Sequence, residues 1–325
     1  MNTLAIVVPC YNEQEVLPET TKRLSDLLDR MIKANKVGSD SYILYINDGS
    51  KDNTWPMIEE LHQSNTYVKG LKLSRNVGHQ FALLAGLKHV TDNCDAAVSI
   101  DADLQDDIEV IQQMVDRYDN GDEIVYGARS SRDVDTFFTK HASYGFYNFM
   151  RSLGVDSVYN HADFRLMSNK VLNHFQEYKE SNLYIRGIIP QIGYNSSIVE
   201  YPRAERFAGE SKYPISKLIS LAINGITSFS IKPLRIVFWL GIITLILSIL
   251  AMFYALGSYF YGVRVAGWTS VIISVWFLGS VILLALGVIG EYIGKIYTES
   301  KDRPKYFVEK TLFDSLKSSE DKNKQ

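Results

Sequence analysis

Ala96-Ala97-Val98-Ser99-Ile100-Asp101-Ala102-Asp103-Leu104-Gln105-Asp106-Asp107 runs from an unbroken apolar segment straight into a cluster of acids. An apolar run without polar alternation predicts a strand buried on both faces, the kind found in parallel sheets covered by helices. Similar runs occur at Leu4–Val8, Tyr42–Ile46, Val68–Leu73 and Glu123–Tyr126. Helical stretches near Glu13–Lys33, Trp55–Gln63, Gly78–Val90 and Asp107–Tyr118 separate them. This alternation predicts an α/β fold with a Rossmann-like, mostly parallel sheet. Ligands bind beyond the carboxyl ends of the strands in such sheets. The residues that directly follow each apolar run are therefore the candidates for function.

Working outward, the 325-residue chain holds 34 Lys and Arg against 37 Asp and Glu, a net charge of −3. That balance excludes a general nucleic-acid binder, which carries a basic excess. Cys10 and Cys94 are too few for a disulfide framework and fit a reducing cytosol. Leu4–Pro9 is too short for a signal peptide and lacks a basic start and a cleavage site. The C-terminal third differs. Ile236–Phe260 and Trp268–Gly290 contain no charge, and each exceeds the roughly 20 apolar residues that cross a bilayer.

The expected organisation is a soluble domain over residues 1–213, an amphipathic helix over 214–232, and two transmembrane helices within 233–297, at about 236–260 and 268–290. A tail over 298–325 follows, disordered from Thr311 because it is charged and lacks aromatics after Phe313. Ile215, Leu218, Ile219, Ala222, Ile223 and Ile226 form one stripe, which reads as an interfacial helix or as a helix packed on the soluble domain. Phe137–Leu153 reads as a helix, Val155–Ala162 as a polar connector and Ser197–Pro202 as a short strand. Arg203, Arg206, Lys212, Lys217, Lys232 and Arg235 precede the first span. Lys295, Lys301, Arg303, Lys305 and Lys310 follow the second, against Arg264 alone between them. The positive-inside rule then puts both flanks in the cytoplasm, with the protein in the cell membrane.

The acids after the fourth strand carry the sharpest chemistry. Asp101 and Asp103, two residues apart at a strand end, repel each other unless a cation lies between them. With Gln105 they present the hard oxygen donors that suit Mg²⁺ or Mn²⁺. The alternative is a solvated acidic turn that caps the helix from Asp107. The first strand ends at Pro9, which stops it, and Tyr11 then offers a ring for stacking while Glu13 accepts hydrogen bonds; the alternative is a plain strand-to-helix turn. After the second strand, Asp48 accepts from a nucleobase N–H, or Asp52 or Thr54 simply caps the next helix. Arg75, Arg129 and Arg132 follow the third and fifth strands, and Arg203, Arg206 and Lys212 stand where anionic head groups gather. Neither G-x-G-x-x-G nor G-x-x-x-x-G-K-[ST] occurs, and no His/Cys cluster has zinc spacing. His79 reads as a helix-start residue.

Pro9-x-Tyr11-Asn12-Glu13, Asp48-Gly49-Ser50-x-Asp52-x-Thr54, Arg75-Asn76-x-Gly78 and Asp101-Ala102-Asp103-Leu104-Gln105 together resemble the family 2 glycosyltransferases of GT-A fold. Gly127-x-Arg129, Asp163-Phe164-Arg165 and Arg203-x-x-Arg206-x-x-Gly209-x-Ser211-Lys212-Tyr213 resemble the polyprenyl-phosphate group within it. That group contains the dolichol-phosphate mannose synthases and the bacterial undecaprenyl-phosphate glucosyltransferases. The resemblance implies a nucleotide site at Pro9, Tyr11, Asn12, Glu13, Asp48, Arg75, Asp101, Ala102 and Asp103. It implies a divalent metal on Asp101, Asp103 and Gln105, and phosphate contacts from Arg129, Arg203, Arg206 and Lys212. Asp103, Asp163 and Arg203 would be catalytic, with Asp163 facing the sugar as a positioning residue or weak base. Many relatives have Asp-Asp-Gly-Ser where this chain has Asn47-Asp48-Gly49-Ser50.

The implied activity is inverting transfer of a sugar to polyprenyl phosphate. UDP-glucose and UDP-N-acetylglucosamine rank as donors ahead of GDP-mannose. A phosphate monoester is largely dianionic at neutral pH, its second pKa being about 6, so it needs alignment and charge shielding more than a base. A processive polysaccharide synthase is one alternative, although Gln-x-x-Arg-Trp is absent; a membrane-anchored nucleotide-sugar-binding scaffold is another. The oligomeric state, a homo-oligomer included, is left open.

Overall fold

The computed structural model of the chain describes residues 1–129, 161–180, 185–202, 232–260 and 267–313. They form two compact units, one built on a sheet and one holding two long helices. In the first unit β1 (Leu4–Cys10), α1 (Leu17–Lys33), β2 (Tyr42–Asn47), α2 (Thr54–Ser64), β3 (Val68–Leu73), α3 (His79–Val90), β4 (Ala96–Ser99) and α4 (Val110–Asp119) alternate as the sequence predicts. β5 (Ile124–Arg129), β6 (His161–Ser168), α5 (Asn169–Phe175), α6 (Ile185–Gln191) and β7 (Ser196–Tyr201) follow, and β8 (Val308–Leu312) closes the unit. The strand order is β7-β5-β6-β4-β1-β2-β3-β8.

β4, β1, β2 and β3 are mutually parallel, and every residue of β1 and β2 is buried. Helices cover both faces, which is why these strands are apolar throughout. α1 docks through Leu17, Leu24, Leu27, Leu28 and Met31, an i, i+3, i+4, i+7 stripe. α3 lies so close to the sheet that a Cβ on Gly86 would meet Ile46 Cδ1 at 2.6 Å and Val7 Cγ1 at 2.7 Å.

Three expectations need correction. Pro9 does not stop β1: it sits inside the strand opposite Ile46. The β1–β4 ladder has already ended at Val7–Ser99, so a residue without an N–H is tolerated there. Second, the connector and the Asp163-Phe164-Arg165 motif gave no strand signal, yet His161–Ser168 is a strand inserted antiparallel between β4 and β5. Its buried Asp163 and Arg165 masked the apolar pattern. The direction of β6 matters, because it brings the strand's first residues to the edge where β4 ends.

Third, the tail is ordered through Phe313. β8 pairs antiparallel with β3, its Lys310 reaches Glu59 and its Glu309 accepts from Lys72, both at 2.7 Å. Charges along an edge strand guard it against pairing with another chain, so they were no sign of disorder. Leu312 fits over Gly70, where a Cβ would approach Leu312 Cδ1 to 2.9 Å. Leu312→Ala is expected to cost about 1–2 kcal/mol, below the range for a fully buried leucine because this one is partly exposed. A denaturant titration that shows no loss would contradict the docking of β8.

In the second unit α7 (Lys232–Phe260) and α8 (Trp268–Ser300) each contain a segment long and apolar enough to cross a membrane. Trp239, Trp276 and Leu283 are 61–74% exposed, so these are not the core helices of a soluble domain. The expected helix at Phe137–Leu153 and residues 214–231 of the expected amphipathic helix lie outside the described residues, as do 314–325, while Lys232 begins α7.

Candidate active site

The loops after β1 and β2 are braced against each other. Asn12, at φ +56°, donates its N–H to Ser50 Oγ (3.0 Å) and accepts from Lys51 N (2.8 Å). Glu13 N donates to Thr54 Oγ1 (2.9 Å), Gln14 N to Asp52 Oδ2 (3.3 Å) and Asn53 N to Gln14 Oε1 (3.0 Å). An open pocket of about 400 Å³ lies here, lined by Asn12, Gln14, Glu15, Lys51 and Asp52. Tyr11 is 42% exposed.

Asp48 is buried, and its two oxygens accept from Val77 N (2.7 Å) and Gly78 N (3.0 Å). Burial raises its pKa, and the two amides and nearby cations offset only part of that. Asp48 therefore latches the loop that carries Arg75 and leads into α3. Asn47 is fully buried and accepts from Ser50 N (3.3 Å), so this position braces the turn.

β4 delivers Asp101 to the same edge. Its carboxyl pKa is raised to about 6, chiefly by burial; His79 lowers it, while the charges of Asp163, Asp106 and Asp103 add to the rise. Leu104 takes φ +57° to turn the chain after the acid pair. Ala102 is buried and accepts from Thr20 Oγ1 (2.8 Å). Asp103 Oδ1 accepts from Gln105 N (3.2 Å), Gln105 is buried, and Asp107 Oδ1 accepts from Glu109 N (3.0 Å) at the start of α4.

His79, the first residue of α3, places Nε2 3.3 Å from Asp163 Oδ2 and 3.6 Å from Asp101 Oδ1. Burial alone would lower its pKa, but the Asp163 hydrogen bond and the charges of Asp101 and Asp163 outweigh it, and the pKa is raised. Asp163 also accepts from Arg165 Nη2 (2.7 Å to Oδ1), Arg186 Nε (3.0 Å to Oδ1) and Arg186 Nη2 (3.0 Å to Oδ2). Burial works against ionisation here, yet the His79 bond and the two guanidiniums hold Asp163 well below the ordinary carboxylate range.

Arg129, at the end of β5, gives Nε and Nη2 to the buried Asp106 Oδ1 at 2.9 and 2.7 Å. Tyr201 OH, at the end of β7, reaches the same oxygen at 2.7 Å. One carboxylate thus pins the ends of two strands to the loop after β4.

Residues 5–175 match the family described as Glycosyl transferase family 2. The chain belongs to that family. It is 50% identical over 310 residues to the uncharacterized glycosyltransferase YkoT of Bacillus subtilis, covering 95% of this chain and 92% of the relative. It is 39% identical over 310 residues to the SfII prophage-derived bactoprenol glucosyl transferase of Shigella flexneri, covering 95% and 98%. Among solved structures, the mannosyltransferase PcManGT from Pyrobaculum calidifontis in complex with GDP-Man and Mn²⁺ aligns over 70% of each chain, with a TM-score of 0.45 and 16% identity.

The α/β unit of this family 2 glycosyltransferase is a mixed sheet, parallel at its centre. Its site fits a divalent cation in one sense: Asp163, Asp106 and Asp103 crowd Asp101 at the β4 edge, and their charges add to the burial that raises its pKa. Among the described residues no three His, Cys, Asp or Glu gather as a closed metal cage. Mg²⁺ and Mn²⁺ in nucleotide sites take one or two protein carboxylates and complete their shell from substrate phosphates and water, so an open pair suits them.

The sequence led to Asp101, Asp103 and Asp163, and the fold brings Asp101 and Asp163 to either side of His79. Arg129 is placed in a buried ion pair. Arg132, Arg203, Arg206 and Lys212 lie outside the described residues. Sequence reasoning missed His79 as a site residue, and it missed Arg186 and Asp106. For His79 a signal existed, since it directly follows Arg75-Asn76-x-Gly78. Arg186 is brought in by α6 from far along the chain, and nothing local marks it.

Proposed function

We propose that this family 2 glycosyltransferase moves a sugar from a nucleotide-sugar donor to polyprenyl phosphate at the cytoplasmic membrane face, with inversion at the anomeric carbon. The observation that supports this best is the 39% identity to a bactoprenol glucosyl transferase over nearly the full length of both chains. The chain's own features agree with that reading. An acidic cluster lies at the carboxyl edge of the sheet, and two long apolar helices are present. The sheet holds residues from both before and after the helix pair, so an even number of crossings keeps one side for both. The excess of Lys and Arg beside the spans makes that side the cytoplasm.

Asp101 and Asp103 would hold Mg²⁺ or Mn²⁺, which neutralises charge on the departing nucleoside diphosphate. Asn12 and Asp52 line the pocket for the nucleoside, with Glu13 beside them in the chain and Tyr11 as a stacking face. Asp48 acts on the donor through the loop at 75–78. The acceptor phosphate arrives ionised, and Arg203, Arg206 and Lys212 align and shield it. UDP-glucose and UDP-N-acetylglucosamine lead as donors, with GDP-mannose behind them.

The test is transfer of radiolabelled sugar from each donor into a polyprenyl-phosphate extract with Mg²⁺ or Mn²⁺. A lipid-linked monosaccharide is expected. Long polymer would favour a processive synthase, and donor binding without turnover would favour a scaffold.

The cation should compete with protons. Asp101 must be ionised to bind it, and a protonated His79 repels it. Both groups have raised pKa values, so both lose protons as pH climbs through 6 and above. Mn²⁺ affinity is expected to rise steeply, by about tenfold per pH unit below pH 6, and to level off above the two transitions. Titration calorimetry at several pH values checks this; a flat profile would contradict it.

A further inference from the structure

Asp163 is the residue that the family resemblance would set facing the sugar, yet its acceptor capacity is already spent. An ionised carboxylate offers about four lone-pair sites, two on each oxygen. Oδ1 accepts from Arg165 Nη2 and Arg186 Nε, and Oδ2 accepts from Arg186 Nη2 with His79 Nε2 beside it at 3.3 Å. The side chain of Asp163 is only 10% exposed and that of Arg165 is fully buried. Arg186 keeps 39% of its side chain exposed. The two parallel bonds to Asp163 set the plane of the Arg186 guanidinium, as bidentate pairs do. Asp163, which holds the guanidinium, is linked to Asp101 at the end of β4 through His79 Nε2, 3.3 Å from Asp163 Oδ2 and 3.6 Å from Asp101 Oδ1.

We propose that Arg186 is a substrate-binding residue that takes a phosphate oxygen, and that Asp163 is a positioning residue which orients Arg186 and accepts no proton. This rests on the glycosyl-transfer reading above, and it deepens that reading by naming a phosphate ligand and removing a base. The chemistry balances without a proton acceptor. The acceptor's phosphate oxygen forms the new bond to the anomeric carbon as the donor's diphosphate leaves with the bonding pair, and an ionised phosphate has no proton to lose. A planar guanidinium suits a phosphate face, which a lysine serves only as a point charge. The phosphate belongs either to the donor diphosphate or to the lipid acceptor.

The test uses the full chain in detergent or nanodiscs, with R186Q, R186K, D163N and R186Q/D163N. Turnover is read as nucleoside diphosphate release, and KM is measured for each substrate. R186Q is expected to lower kcat/KM by ten- to a hundredfold, and R186K to restore part of it. A raised KM for the nucleotide sugar assigns the donor phosphate, and a raised KM for polyprenyl phosphate assigns the acceptor. D163N should lose about as much as R186Q, and the double variant no more than either, because the two residues act as a unit. Losses that multiply, or D163N far below an R186Q that stays within twofold of the parent, would overturn the proposal and make Asp163 the acting group. If D163N does not fold, R186Q and R186K decide alone, since Asp163 keeps Arg165 and His79 in both. A parent enzyme that forms no lipid-linked sugar overturns the function instead. Arg186 is then judged by the affinity for nucleoside diphosphate and inorganic pyrophosphate, weaker in R186Q if the assignment holds and equal if it does not.

Discussion

Asp101→Asn is expected to lower glycosyl transfer by about a thousandfold or more while leaving the cation-free protein at least as stable as the parent. The loss follows from the several kcal/mol that a divalent cation contributes to a developing diphosphate, each 1.36 kcal/mol being tenfold in rate. The stability follows from the raised carboxyl. A folded-state pKa of about 6 against an unfolded value of 3.8 means that the fold holds the proton more tightly. Ionisation therefore penalises the fold increasingly from pH 3.8 to about 6, and the full penalty persists above that. Asparagine removes the charge and with it the repulsion from Asp163, Asp106 and Asp103. Melting curves without cation should match or exceed the parent at pH 7, and the gap should close below pH 4. A variant that is both inactive and markedly less stable would mean that Asp101 serves the fold, and that the cation assignment is wrong.

Gly49→Ala should be nearly as damaging, through sterics alone. Gly49 has φ +63°, and a Cβ there would lie 2.4 Å from Asn76 N, 2.5 Å from Arg75 C and 2.9 Å from Arg75 Cα. All three are backbone atoms, so no side chain can rotate away. Relief requires the loop at 75–78 to move, which breaks the bonds from Val77 and Gly78 to Asp48. The expected cost is about 2–5 kcal/mol, from overpacking of about 1–3 added to about 1–2 for the strain of a left-handed alanine. Donor affinity should fall more than tenfold. Gly121→Ala is the control: its φ is +101° but nothing lies within 4 Å, so it should cost only the backbone strain of about 1–2 kcal/mol. Equal effects at the two glycines would show that the close approach to Asn76 is unimportant.

The strand–helix alternation over the first 130 residues was legible because buried parallel strands must be apolar without a break. Periodicity, with the acids placed after it, pointed to Asp101 and Asp103 before any fold was known. The two apolar helices were legible for a similar reason, since core helices rarely stay apolar on every face for so long. β6 was not legible. A strand that carries Asp163 and Arg165 into the interior shows no apolar run, and its first residues read as the end of a polar connector until the partner that neutralises each charge is in view. β8 was misread as well, because the charges that protect an edge strand look like those of a disordered tail.

Local pattern determines which segments become strands and helices and which acids stand at a strand's end, because burial and periodicity act within a few residues. Long-range closure decides the rest. It turned Asp48 into a backbone latch, spent Arg129 on Asp106, and set His79 and Arg186 around Asp163. These contacts join segments 23 to more than 80 residues apart, and which partner satisfies a buried charge depends on distances that only the packed sheet defines.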